Sequence, residues 1–312
     1  MGSFHSVVIM LEELACIAGF IGGLVDREWW PPLWWVSLIT FALAPFLIEG
    51  IMVLKGFCNR YKVKLANYSE HIGFQDYVPI VYSTRYNIHA FGLEKLHPFD
   101  ASKYRRVFEE LVSSGTIDPK TMKLHSPSVP TREFLQFVMS NTYLLKLNFT
   151  IAVCKAVEMP LPLPGWLLRM RLLEPMQCAT QGSVDAACMA RIHGWAINLG
   201  GGFHHATHCS GGGFCIYPDI TFITRYMEEW HGINRFMIVD LDAHQGNGHE
   251  RDHQDRSKYH ILDAYNHRIY PGDELAKGFI STDIDASRYN SDERYLRKVR
   301  EELENAMQIF KP

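Results

Sequence analysis

At 312 residues, 47% hydrophobic and 21% charged, the chain has ordinary globular composition, which excludes collagen-like, disordered and disulfide-scaffold proteins. Lys+Arg 31 against Asp+Glu 34 leaves a net charge of −3, so no basic surplus points to direct nucleic-acid binding. The length allows two domains or one large α/β domain, and seven cysteines without CxxC clustering fit reduced thiols.

Residues 1–58 read differently from the rest. Residues 33–54 form a stretch of twenty-two in which only Glu49 is charged, long enough for a candidate transmembrane helix. Trp29, Trp30, Trp34 and Trp35 stand at its start as an interfacial belt would, and Lys55, Arg60, Lys62 and Lys64 follow its end. By the positive-inside tendency the remainder faces the cytoplasm. A membrane-associated protein is therefore expected, attached through an N-terminal extension over 1–76. The bland alternative is a buried core helix or an interfacial hairpin. Asn67-Tyr-Ser69 and Asn148-Phe-Thr150 match the glycosylation sequon, which matters only for a lumenal chain.

From residue 77 the pattern is that of an α/β domain. Residues 78–82 give a short buried-strand signal, and 99–114 a helix with Asp100 as N-cap. Residues 195–199 read as a strand running into Gly200-Gly-Gly-Phe-His-His205. A helix over 221–230 ends at Gly232, strands follow at 236–240 and 258–263, and Ser291 caps a long helix. Leu296, Val299, Leu303, Ala306 and Met307 form its apolar stripe. Strand–helix alternation predicts a parallel sheet with helices on both faces.

Eight of the fifteen histidines lie between residues 201 and 260, where an even spread gives about three, so an imidazole-rich site is expected there. Ligands bind beyond the carboxyl ends of such strands. There the glycine run delivers His204 and His205, and the next strand ends in Asp240, Asp242 and His244 at i, i+2 and i+4. Alternation puts those three on one side while the strand lasts. Carboxylate with imidazole suits Zn²⁺ or another divalent ion, and paired histidines nearby suit general acid–base work on an attacking water. Singly, a triple glycine is commonly a turn and a strand-end Asp commonly a helix cap; together they make a site.

Gly200-Gly-Gly-Phe-His-His-Ala206, Gly212-Gly-Phe-Cys215 and Val239-Asp-Leu-Asp-Ala-His-Gln-Gly-Asn-Gly-His-Glu-Arg-Asp252 resemble the zinc-dependent histone deacetylases, and among them the class IV branch. The resemblance covers about 77–312. It implies an arginase/deacetylase-like α/β fold and hydrolysis of acyl groups from lysine side chains of protein substrates, with long fatty-acyl groups suited to class IV. By motif it makes Asp242 and His244 zinc ligands, and His204 and His205 the catalytic pair. Asp240 orients His204 and, with Asp263, contributes to a structural potassium (K⁺) site. Asn247 faces His205 where many relatives carry an aspartate, which should leave His205 less basic. Gly213, Phe214 and Tyr270 line the acyl-lysine tunnel. The family's later Gly-Thr-Asp and Gly-Gly-Tyr segments have no counterpart before Pro312. Asp283 and Asp285 look unsuited as substitutes because no strand is expected there. The resemblance therefore implies a partial domain, incomplete at its carboxy-terminal side, with little turnover from these 312 residues alone. An inactive membrane-tethered binding protein and an arginase-like metal hydrolase are the alternative functions. Oligomeric state is not readable.

Overall fold

The computed structural model describes residues 73–89, 92, 94, 99–159 and 163–312, all within the unit Lys64–Pro312. Five short strands run parallel in two groups. β1 (Ile80–Val81) pairs with β2 (Ile197–Asn198), and β3 (Phe236–Asp240), β4 (Tyr259–Tyr265) and β5 (Thr282–Asp285) pair in that order. The helices are α1 (Lys103–Ser113), α2 (Arg132–Val138), α3 (Asn141–Lys146), α4 (Thr150–Ala156) and α5 (Gly165–Leu168). They continue as α6 (Glu174–His193), α7 (Asp219–His231), α8 (Asn247–Asp252), α9 (Glu274–Lys277) and α10 (Asp292–Phe310). Helix α1 starts later than expected, at a Ser102 cap rather than Asp100.

Helix α6 organises the core, and no apolar stripe announces it. Thr180, Gln181, Ser183 and Asp185 are buried on it beside Cys178, Ala179 and Met189. Each polar group is satisfied: Asp185 meets His125 Nε2 at 2.7 Å and accepts from Gln181 Nε2 at 2.8 Å. Buried polar groups persist only when paired in this way. Gly182 lets Tyr86 lie against the helix, since a Cβ there would come within 2.0 Å of the Tyr86 hydroxyl. Phe74, assigned by sequence to the N-terminal extension, is buried in the same core against His125.

Three expectations are corrected. First, residues 282–285 do form a strand, β5, because Ile284 is buried against β4 between two aspartates that are less buried than it is. Its Asp283 accepts from His267 Nε2 at 2.7 Å, and Asp285 caps the next turn through Ser287. Second, α10 buries Val299, Ala306 and Phe310, while Leu296 and Met307 stay exposed. Val299 and Leu303 of the expected stripe do pack with Leu262, Ala264 and Ile284, and Ala306 is buried, while Tyr295 and Phe310 take part in place of Leu296 and Met307. Third, the membrane-associated location is not upheld. Among the described residues no helix is long and apolar enough to cross a membrane, since the 20-residue α6 carries polar groups throughout. Residues 33–54, on which that expectation rested, lie outside the described part.

Buried His253 makes stability pH-dependent. Its Nδ1 donates to the His249 carbonyl at 2.7 Å and its Nε2 accepts from Thr224 Oγ1 at 2.8 Å. Burial holds its pKa down at about 4 against an ordinary 6.5. Between those values the unfolded chain binds the extra proton, so stability rises with pH and is lost as pH falls from 6.5 toward 4. Urea midpoints measured at pH 7 and pH 4.5 should show this fall, and His253→Gln should shrink it. Equal slopes for parent and variant would rule His253 out as its source.

Candidate metal and acid–base centre

The carboxyl ends of β2 and β3 converge on one cluster. Beyond β2 the chain turns through Gly201 and Gly202, both with positive φ, and presents His204 and His205 with ring centroids 4.0 Å apart. His204 Nδ1 donates to Asp240 Oδ2 at 2.9 Å, where β3 ends. That bond leaves Nε2 as the acceptor, 3.8 Å from Asp242 Oδ1. His205 Nδ1 donates to Asn247 Oδ1 at 2.8 Å. The amide is oriented by its own Nδ2, which donates to Asp273 Oδ2 at 3.2 Å, and Arg251 grips the same carboxylate through two nitrogens.

Asp242 and His244 form the open side. Asp242 Oδ1 accepts the His244 amide at 2.8 Å and lies 3.0 Å from His244 Nδ1. Both side chains are about half exposed, whereas His204 and Asp240 are about nine-tenths buried. Gly213 and Tyr270 stand close to His205. Gly213 passes beneath its ring so closely that a Cβ would come within 2.2 Å of Cδ2. Phe214 holds a left-handed φ of 67° and packs edge-on against Phe99. The Tyr270 ring stands 5.1 Å from His205 and 6.3 Å from His244.

Environment sets the two imidazoles apart. Burial disfavours charge on His204, but the hydrogen bond and charge of Asp240 outweigh it and raise the pKa. His205 is pushed down to about 4, by burial first and then by the charge of His204. Its bond to Asn247 acts the other way but is outweighed, and a neutral amide opposes the fall less than a carboxylate would. Burial works against ionised Asp240 too, yet hydrogen bonds from His204 and His249 hold its carboxyl well below the usual range. Different environments thus give one imidazole that takes a proton readily and one that stays neutral, the arrangement acid–base pairs use.

Sequence reasoning missed His249. It is 1% exposed and donates through Nε2 to Asp240 Oδ2 at 2.9 Å, the oxygen His204 also uses. Asp240, His249 and Asp263 are the one group of three whose ligand atoms converge within 4.8 Å among the described residues. Asp240 and Asp263, which the resemblance gave to a potassium site, both belong to this group, and nothing in the group selects potassium over another cation. Asp263 is fully buried, accepts the Gly246 amide at 2.8 Å, and is raised to about 10 by burial and by the charge of Asp240. Zinc suits the other pair, whose imidazole and carboxylate donors stand side by side facing solvent. No third His, Cys, Asp or Glu completes that pair among the described residues.

The histone deacetylase domain model matches residues 97–312. "Histone deacetylase 2" of Arabidopsis thaliana is 42% identical over 237 residues, 75% of this chain and 61% of that protein. The chain belongs to the histone deacetylase family. It spans about three fifths of the length of that relative. An uncharacterized protein of Picosynechococcus is 27% identical over 241 residues, covering 75% of this chain and 74% of that one. The crystal structure of the HDA15 HD domain superposes with a TM-score of 0.51 at 17% identity, over 63% of this chain and 56% of that one. That likeness establishes a deacetylase-like fold of parallel strands and flanking helices. Within the family domain the expected cluster residues come together at one end of the sheets, with Asp263 set behind Asp240.

Proposed function

We propose that the chain is a zinc-dependent hydrolase of acyl-lysine side chains on proteins, of the class IV type, with long fatty-acyl groups among its substrates. The observation that carries this reading is His204, clamped by Asp240 at 2.9 Å with Nε2 turned toward Asp242. An imidazole so held is oriented to accept a proton from an attacking water, as a general base must be. Asp242 and His244 would hold the zinc, which when bound supplies Lewis acidity to the acyl carbonyl and the water. His205, neutral and fixed by Asn247, offers Nε2 at the centre without adding charge. Gly213, Phe214 and Tyr270 would form the wall along which the apolar acyl-lysine chain enters. The class IV assignment rests on the Gly246-Asn-Gly-His-Glu-Arg-Asp252 motif, which puts an amide at Asn247 and a histidine at His249.

Mass spectrometry of acetyl-lysine and myristoyl-lysine peptides tests the reaction, with slow release of the acyl group by these 312 residues as the expected outcome. Zinc affinity tests the site independently of turnover. Competition against a graded chelator should show Asp242→Asn weakening zinc by more than the about 10–100-fold seen for residues that merely support a ligand. Unchanged zinc affinity in Asp242→Asn would place the metal elsewhere and remove the basis of the proposal.

A further inference from the structure

We propose that Asp219 is a positioning residue for the tandem histidines: its buried carboxylate collects the two amides that precede His204 and thereby fixes where both imidazoles stand. This rests on the deacylase reading, because it concerns the same pair.

Asp219 is the first residue of α7 and is 1% exposed. Its Oδ2 accepts from Ser183 Oγ at 2.6 Å and from the Gly202 amide at 2.7 Å, and its Oδ1 accepts from the Phe203 amide at 2.8 Å. Bonds to an ionised acceptor are shorter and stronger than neutral ones. The helix N-terminus adds a favourable field for the negative charge. Ser183 in turn accepts from Asn198 Nδ2 at 3.0 Å, and Asn198 Oδ1 accepts from the Tyr86 hydroxyl at 2.9 Å. One buried polar node therefore ties α6, β2 and α7 to the turn.

The glycine run is shaped to this node. A Cβ at Gly201, where φ is +84°, would come within 2.4 Å of both Asp219 Oδ2 and Ser183 Oγ. At Gly200 it would reach the Tyr86 ring at 2.7 Å. Strand β2 ends at Asn198, so sheet pairing does not hold residues 202–205. On the far side the His204 carbonyl accepts the Gly248 amide at 2.9 Å. The turn is thus anchored to α8 behind His204 and to Asp219 in front of it, and loss of the front anchor frees the histidine to leave Asp240.

The reporter is the Nδ1 proton of His204, which its bond to Asp240 should place far downfield in ¹H–¹⁵N spectra of the 312-residue protein. Its disappearance in His204→Gln assigns it. Asp219→Asn keeps size but turns an amide donor toward donors, and the signal should vanish. Ser183→Ala removes one donor while both turn amides keep the carboxylate, and the signal should persist. Met227→Ala, a core deletion on the same helix, should persist too at an equal or greater loss of unfolding midpoint. If Asp219→Asn does not fold, Gly201→Ala, whose methyl enters between turn and carboxylate, must lose the signal instead. A signal retained in these turn variants, or lost equally in Met227→Ala, overturns the positioning role and leaves the deacylase reading standing. No downfield signal in the parent protein would contradict the His204–Asp240 bond and overturn both.

Discussion

Replacing His204 with alanine is expected to lower lysine deacylation by about 10²–10⁴-fold, the range that a general base contributes. The geometry gives the reason. His204 has one ring nitrogen committed to Asp240 at 2.9 Å and the other presented toward Asp242, so the alanine variant has no acceptor at that point. The carboxylate would survive, still bonded to His249, but it lies behind the ring and cannot reach a water in front of it. Asp240→Asn should fall in the same direction, since an amide that donates toward Nδ1 favours the wrong tautomer. Because Asp242 and His244 lack a third partner among the described residues, the measurement is best made on a chimera that adds the part of the Arabidopsis relative which this chain does not cover. Residues 1–312 alone should turn over slowly and the chimera faster. A His204→Ala chimera retaining more than a tenth of the parent rate would show that another group is the base.

The order of elements around the site was legible because its signals are local. β3 was read at its observed bounds from a run of four apolar residues closed by Asp240. The Ser291 cap was read from Ser–Asp–Glu, and its hydroxyl does accept the Arg294 amide. The pairs His204–Asp240 and His205–Asn247 came instead from the family resemblance, and both are hydrogen-bonded in the structure. What stayed hidden depends on long-range pairing. Helix α6 shows no stripe because its polar residues are buried in partnership with His125, Asn198 and Asp219, each far away in sequence. β5 was missed because a strand of four with one buried apolar residue carries too short an alternation. His249 was missed because a histidine after a glycine turn looks like surface until Gly246 is seen to make room for it: a Cβ there would come within 2.1 Å of Nε2.

Gly248→Ala shows most directly how that tertiary packing overrides local preference. Gly248 lies in α8 without a positive φ, so helix propensity alone predicts that alanine gains about 1 kcal/mol. The surroundings predict the opposite. A Cβ would come within 2.3 Å of the His205 carbonyl carbon and within 2.6 Å of the Ala206 backbone nitrogen and oxygen. All three are main-chain atoms of the histidine turn and cannot swing aside as a side chain would. The helix must retreat, stretching the bonds from the Gly248 and His249 amides to the His204 carbonyl, now 2.9 and 3.2 Å. Overpacking costs about 1–3 kcal/mol, and stranding a buried polar group costs about 1–3 kcal/mol more. Retreat also draws Asn247 from His205, so turnover should fall together with stability. Gly232→Ala is the control, because its φ of 66° imposes backbone strain with nothing within 4 Å to strike. Urea midpoints should therefore drop further for Gly248→Ala than for Gly232→Ala. If Gly248→Ala instead matches or exceeds the parent, α8 does not rest on the turn, and the placement of His205 by Asn247 fails with it.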